Sequence, residues 1–105
     1  MITKYENFCA ICGTTQNVRT HHCVFGKGLR ELADQDHLTL PVCDKCHNMG
    51  RDSIHGNSVS EKLSKIIGQL AWEKNYIAEN ASLPFEDMEE EARIKFRNRY
   101  GKSYL

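Results

Sequence analysis

Two Cys-x-x-Cys pairs are the residues of this 105-residue chain best suited to metal chemistry. The pairs are Cys9 with Cys12 and Cys43 with Cys46. A pair with this spacing can grip a soft cation from one tight turn, and two such pairs complete the four-sulfur shell that zinc takes in closed structural sites. Four thiolates leave no coordination position open to a substrate, so this zinc is predicted to stabilise the fold rather than to react.

The histidines form a second group with chemical potential. The chain has 5 of them, all between positions 21 and 55: His21, His22, His37, His47 and His55. A lone histidine is usually a packing or polar residue, but a cluster interleaved with cysteine pairs favours a metal or acid–base site. Adjacent residues of a strand point to opposite faces, so His21 and His22 are expected to take different roles.

Disulfide bonds are the alternative use of the cysteines. Residues 1–6 lack the apolar run of a secretory signal, and 5 cysteines are an odd number, so zinc in a cytoplasmic protein is favoured. No stretch approaches the roughly twenty apolar residues that a membrane helix requires. Cys23 has no partner at metal-ligand spacing and is predicted to be a small buried side chain of a strand.

Length and charge limit the classes of function. The length fits one domain over 1–105, divided into a zinc-bearing core at 9–57 and a helical C-terminal extension at 58–105. A domain of this size buries a modest core, so a metal is an expected source of stability. The 14 basic and 14 acidic side chains give a net charge of +0, which weakens a nucleic-acid-binding interpretation without removing it.

The elements that must position these side chains are short in the first half of the chain. Strand-forming residues predict a strand over 18–25 and a second over 38–42, where Pro41 requires a sheet edge or a strand end. A loop is expected to connect them. The segment from 43 to about 49 is predicted to begin a short helix that Gly50 stops or bends.

The second half is predicted to form two helices. The first is expected from Ser58 to about Asn80, with capping-box spacing at Ser58 and Glu61, and the second begins near Pro84. Each carries an apolar stripe that we expect to be buried. The stripes are Val59, Leu63, Ile66, Ile67, Leu70 and Ala71 on the first helix, and Phe85, Met88, Ala92, Phe96 and Tyr100 on the second.

The order of these residues resembles that of the HNH nucleases of the ββα-metal type, in particular the small HNH proteins of phages and prophages. The resemblance rests on the histidine doublet, on His37 before the second strand, and on the stretch 46–50 followed by His55. It covers 9–57 strongly and the rest loosely. It implies an α+β fold in which a ββα-metal HNH finger is stapled by the four-cysteine zinc knuckle and followed by two C-terminal helices.

The resemblance also implies roles for the histidines. His22 would be the general base, and His21, His47 and His55 would hold one divalent cation, which is Mg²⁺, Mn²⁺, Zn²⁺ or Ni²⁺. The roles within the doublet are open to exchange. His37 stands where the family has an asparagine that orients the base-bearing loop, so a catalytic role for His37 is open. Such a site supplies an activated water and a cation that neutralises the phosphoryl oxygens, as phosphodiester hydrolysis requires.

The last histidine departs from the family pattern. Many members have the final ligand one helical turn after the histidine that opens the helix, and this chain has Arg51 there. For His55 to act as a ligand, Gly50 must end the helix and the chain must turn back. Arg51, Lys27 and Arg30 are candidates for contacts with phosphates that flank the cut.

These features predict a metal-dependent DNA endonuclease or nickase, with RNA, a phage or host protein partner and the oligomeric state left open. The alternative is a non-catalytic zinc module that binds nucleic acid or a protein. A third hypothesis is a phage-encoded protein that inhibits or recruits a host enzyme. The zero net charge favours these two, and the full set of histidines favours the nuclease.

Overall fold

The structure is a computed structural model that describes residues 1–81 and 84–105. Its fold is α+β, as predicted, with a two-stranded antiparallel sheet accompanied by helices. The elements in chain order are β1 (Val18–His22), α1 (Leu29–Gln35), β2 (Thr39–Cys43), a π-helical turn (Lys45–Met49), α2 (Ser58–Glu79) and α3 (Phe85–Tyr100). Within the described residues, no helix is both long and apolar enough to cross a membrane.

The sheet carries the histidine doublet at the end of β1. The strands pair antiparallel, with His22 opposite Thr39 and Thr20 opposite Pro41. Both strands of a two-stranded sheet are edges, so Pro41 is tolerated as predicted. β1 ends at His22 and not at position 25, because Val24 turns into a core cluster that includes residues of α1 and α3. The segment predicted as a loop between the strands contains α1.

The apolar stripe of α3 is buried, as predicted. Met88, Ala92, Phe96 and Tyr100 are each at most 3% exposed. The side chain of Phe85, which the stripe prediction also included, lies outside the described residues. Large apolar side chains at helical spacing therefore place α3 correctly from the sequence alone.

The predicted stripe of α2 is wrong, because most of its members face solvent. Two members, Ile66 and Ala71, are partly buried. The other four are 43% to 63% exposed: Val59, Leu63, Ile67 and Leu70. The helix is rotated away from the orientation that its hydrophobic pattern predicts.

The buried face of α2 instead consists of small and polar residues. Its buried members are Ser64, Gly68, Gln69 and Glu73. Gln69 donates to the Glu73 carboxylate and accepts from the backbone N–H of Tyr104, so these buried polar groups are hydrogen-bonded. Gly68 packs so tightly on Val24 that a Cβ atom would lie 2.8 Å from the valine Cγ2. Close approach to the segment that follows β1, rather than apolar area, determines the orientation of α2.

The N-terminal cap of α2 is Asn57 and not the predicted capping box. The Asn57 side chain accepts hydrogen bonds from the backbone N–H groups of Val59 and Ser60. Asparagine is among the preferred N-cap residues, and its acceptor satisfies donors that the first turn leaves free. The start of the helix at Ser58 was nevertheless predicted correctly.

Asp36, at the end of α1, ties that helix to α2 and α3. Its carboxylate accepts hydrogen bonds from Trp72 Nε1 at 3.0 Å, from the Arg99 guanidinium at 2.6 and 2.8 Å, and from the Tyr100 hydroxyl at 2.6 Å. Burial alone would raise the pKa of Asp36, but the hydrogen bonds and charge of these partners hold that pKa below its usual value. One ionised carboxylate thus joins three helices.

We expect Asp36→Asn to destabilise the protein by about 2 kcal/mol at neutral pH, because charge-assisted hydrogen bonds are lost. A carboxyl whose folded pKa is lowered stabilises the fold above its unfolded pKa, and this stability is lost as the pH falls through the folded pKa. The difference between the two proteins should therefore shrink in acid. Urea unfolding at neutral and acid pH measures it, with exposed Asp87→Asn as the control; a difference independent of pH would contradict the assignment.

Candidate functional site

The four cysteines of the two pairs converge, as predicted. Their Sγ atoms all lie within 4.8 Å of one another, and those of Cys12 and Cys43 are 3.7 Å apart. With Zn–S bonds of about 2.3 Å, the edge of a tetrahedral zinc site is about 3.8 Å. Cys9 and Cys12 lie in a turn before β1, and a hydrogen bond from the Ala10 N–H to the Pro41 carbonyl holds that turn against β2. The cluster could therefore hold a zinc ion.

The electrostatics of the cluster fit a cation. Burial raises the pKa of Cys9, but hydrogen bonds from the backbone N–H groups of Cys12, Cys43 and Ile11 lower it overall to about 6. Burial and the surrounding sulfurs raise the pKa of Cys46. The Cys9 thiolate forms readily and the Cys46 thiol resists ionisation beside it, so a bound cation would be needed to hold both deprotonated.

Cys23 lies outside this cluster and is fully buried, as predicted, but it lies in the bend that follows β1 and not in a strand. Burial raises the pKa of its thiol to about 12. A protonated, inaccessible thiol is a poor nucleophile, so Cys23 acts as a packing residue.

The structure brings together the side chains of His21, His47 and His55. Their ligand atoms all lie within 4.8 Å of one another, and the Nε2 atoms of His47 and His55 are 3.0 Å apart. The ring of His21 lies 5.1 Å from that of His47 and 5.3 Å from that of His55, centroid to centroid. Each histidine comes from a different segment: β1, the π-helical turn, and the turn that follows it.

Gly50 makes the approach of His55 possible. The Gly50 N–H donates to the Lys45 carbonyl, and a Cβ atom at Gly50 would lie 2.7 Å from that oxygen. The segment predicted as a short helix is a single π-helical turn that ends at Gly50. The chain then turns back, so that the N–H of Ile54 donates to the Cys46 carbonyl and that of His55 to the His47 carbonyl. The reversal of the chain after Gly50, without which His55 could not approach His47, is therefore present.

His21 is the buried member of the histidine cluster, with 1% of its surface exposed. Its Nε2 lies 2.7 Å from the Ser64 hydroxyl oxygen, and its Nδ1 is a buried nitrogen without a hydrogen-bond partner. Burial, together with the charges of His47 and His55, lowers the pKa of His21 to about 3. A neutral imidazole with a free lone pair is a metal ligand, and an unpartnered buried nitrogen is costly unless something binds it. The donor set therefore fits a cation.

The histidine cluster lines a cavity of about 350 Å³. His22 also lines this cavity. Adjacent residues of a regular strand face opposite sides, but β1 ends at His22, so both His21 and His22 reach the same cavity. His22 Nε2 lies 3.4 Å from Asp34 Oδ1 on α1, and 18% of the His22 side chain is exposed. The remaining lining residues are Thr20, Phe25, Gly26 and Arg30.

His37 does not belong to this cavity. It is exposed in a groove lined by Asp36, Trp72 and Arg99, and its backbone has the left-handed φ of 60°. Histidine is among the residues that tolerate this conformation at a turn. The structure therefore does not bring His37 to the other histidines.

The predicted basic contacts divide in the same way. Arg30 lines the cavity, whereas Lys27 and Arg51 are exposed outside its lining. Sequence reasoning missed Lys65 of α2, whose Nζ lies 4.6 Å from the ring centroid of Phe25 in the cavity wall. It also missed Asp34 and Ser64, because nothing in their local sequence shows that they reach a histidine.

Comparison of the chain with protein-family models, with curated proteins and with solved structures finds no significant match in any of the three. The functional interpretation therefore rests on the residues and geometry of this chain.

Proposed function

We propose that the protein is a metal-dependent endonuclease or nickase of the HNH type that hydrolyses phosphodiester bonds of DNA. The observation that carries the proposal is the convergence of three histidines on one cavity, with a fourth, His22, beside them. The four-cysteine cluster would hold a structural zinc and the histidine cluster a second divalent cation. The sulfur site would serve folding, because four cysteines leave no coordination position open. The histidine site would serve catalysis, because three histidines leave positions open for water or substrate.

His21, His47 and His55 would hold the second cation. When bound, that cation supplies Lewis-acid stabilisation of the phosphoryl oxygens and of the leaving oxygen. Imidazole nitrogens suit Zn²⁺ or Ni²⁺ better than Mg²⁺, which prefers oxygen ligands, and Mn²⁺ lies between them. The ligand set thus favours transition metals for activity.

His22 would be the general base. Its ring is partly exposed in the cavity, so it can accept a proton from a water molecule there. The Asp34 carboxylate, 3.4 Å from Nε2, would orient the ring. His22 is separate from the group of ligands, as a base must be.

Two positively charged side chains at the cavity suit a phosphodiester substrate. Arg30 lines the cavity wall, and the Lys65 ammonium lies over Phe25 at its edge. Such groups contact backbone phosphates and carry little sequence information. We therefore propose that cleavage has little sequence preference.

Nicking of a supercoiled plasmid tests the proposed activity. The zinc-loaded protein should produce nicked circles with Mn²⁺, Ni²⁺ or added Zn²⁺, and a chelator should stop the reaction. Failure to cut DNA or RNA with any of these cations or Mg²⁺ would overturn the proposal.

The second candidate is a non-catalytic zinc module that binds nucleic acid or a protein, and the net charge of +0 favours its protein-binding form. Retention of DNA without cleavage would identify a nucleic-acid-binding module. If the protein neither cleaves nor retains DNA, the protein-binding form is favoured.

We expect His47→Ala to lose the second cation and keep the zinc. His47 provides one of three ligand atoms, whereas the sulfur cluster contains no histidine. Metal analysis after gel filtration with excess Mn²⁺ or Ni²⁺ measures both ions, and exposed His37→Ala is the matched control. Loss of zinc from His47→Ala, or equal loss of the second ion from His37→Ala, would contradict the assignment of ligands.

A further inference from the structure

We infer that Ser64 of α2 is a positioning residue that selects the ring tautomer of His21 and so leaves Nδ1 free to bind the cation. The inference rests on the proposed metal site, and it makes the helical extension part of that site. Ser64 is 4% exposed, and its Oγ contacts both His21 and the backbone beyond β1.

The hydrogen-bond directions follow from the single hydrogen of a hydroxyl group. Ser64 Oγ donates to the Cys23 carbonyl at 2.9 Å. Its hydrogen is then used, so in the 2.7 Å contact with His21 Nε2 the Ser64 oxygen must accept. The proton of the neutral His21 ring therefore resides on Nε2, and Nδ1 carries the lone pair.

The free nitrogen is the atom that lacks a protein partner. His21 Nδ1 is buried and makes no hydrogen bond, while the rings of His47 and His55 lie beside the His21 ring. Hydrogen bonds to the other ring nitrogen commonly fix the tautomer and orientation of histidine ligands, and their loss weakens metal binding. Ser64 has this geometry toward His21.

Gly68 allows Ser64 to reach the histidine. Gly68 lies one helical turn beyond Ser64 on the same face of α2, and a Cβ atom there would lie 3.1 Å from Cys23 Cβ and 2.8 Å from Val24 Cγ2. The missing side chain lets α2 lie against residues 23 and 24, directly after His21 and His22. A larger residue at position 68 would move Ser64 away from His21.

The test compares full-length, zinc-loaded wild type with Ser64→Ala, Ser64→Thr and, as a matched control, Ser60→Ala. Ser60 lies one turn earlier on α2 and donates to the Asp52 carbonyl, so its loss removes a hydroxyl away from His21. Calorimetric titration with Ni²⁺ or Mn²⁺ should show affinity about 10–100-fold weaker in Ser64→Ala. Affinity should be close to wild type in Ser64→Thr, which retains the hydroxyl, and in Ser60→Ala.

The ¹⁵N chemical shifts of the His21 ring, measured without the second cation, give a readout that a merely structural role would not change. We expect wild type to show the proton on Nε2, and Ser64→Ala to show a mixture of tautomers. A wild-type proton on Nδ1 overturns the inference even if a variant does not fold. Equal affinity in Ser64→Ala and wild type also overturns it, but leaves the proposed function standing. Failure of wild type to bind a second cation overturns both.

Discussion

His22→Ala is expected to lower the rate of plasmid nicking by about 10²–10⁴-fold while both metal sites stay loaded, the range typical for loss of a general acid or base. His22 lines the cavity but is not one of the three clustered histidines. Its partly exposed side chain contacts the exposed Asp34, so truncation to alanine should cost little stability.

The matched control for this prediction is His37→Ala. Like His22, His37 is a solvent-accessible histidine in the first half of the chain, but it lies in a different groove. Single-turnover nicking rates, with metal content measured on the same samples, separate the roles. A loss of the second cation in His22→Ala would mean that the roles of His21 and His22 are exchanged, and equal rate losses in both variants would remove His22 as the base.

The second large effect is expected from Cys9→Ser, which should lose zinc and unfold or nearly unfold the protein. Structural zinc binding contributes on the order of 10 kcal/mol at neutral pH, whereas small domains have a net stability of about 5–15 kcal/mol. Cys9 is 1% exposed and its sulfur accepts from the N–H groups of Ile11 and Cys12, and a serine there cannot supply the thiolate that zinc binds. Thermal unfolding and zinc stoichiometry measure the effect.

Cys23→Ala provides the comparison. Cys23 is equally buried but lies outside the sulfur cluster, so this variant should keep one zinc and lose only about 1–2 kcal/mol from its packing. A melting temperature and zinc content like those of wild type in Cys9→Ser would rule out a structural zinc at the four cysteines.

The features that could be predicted from the sequence are set by local geometry. Cys9 and Cys12 meet because a short turn brings residues of this spacing together. Position 50 requires glycine because a Cβ there would collide with the Lys45 carbonyl. The stripe of α3 consists mainly of large apolar side chains at helical spacing, so its burial follows from the hydrophobic effect.

The features that could not be predicted depend on partners distant in sequence. The buried face of α2 contains Ser64, Gly68 and Gln69. Their burial is favourable because Ser64 donates to the Cys23 carbonyl, Gly68 packs closely on Val24, and Gln69 accepts from the N–H of Tyr104. Hydrophobic periodicity gives no sign of such contacts, and the exposed residues of α2 produced the wrong face. The convergence of His21, His47 and His55 could be predicted from spacing and resemblance, whereas the hydrogen bond between Ser64 and His21 could not.

The most direct test of the central claim is one titration in which plasmid nicking and occupancy of the histidine site are followed together. Zinc-loaded protein without a second cation is titrated with Mn²⁺, whose free concentration is read by electron paramagnetic resonance, and the nicking rate is measured at each point. We expect no nicking at zero occupancy and a rate proportional to occupancy, with His47→Ala inactive. Full occupancy without cleavage, or cleavage that is independent of occupancy, would contradict the claim that the three histidines hold the catalytic cation.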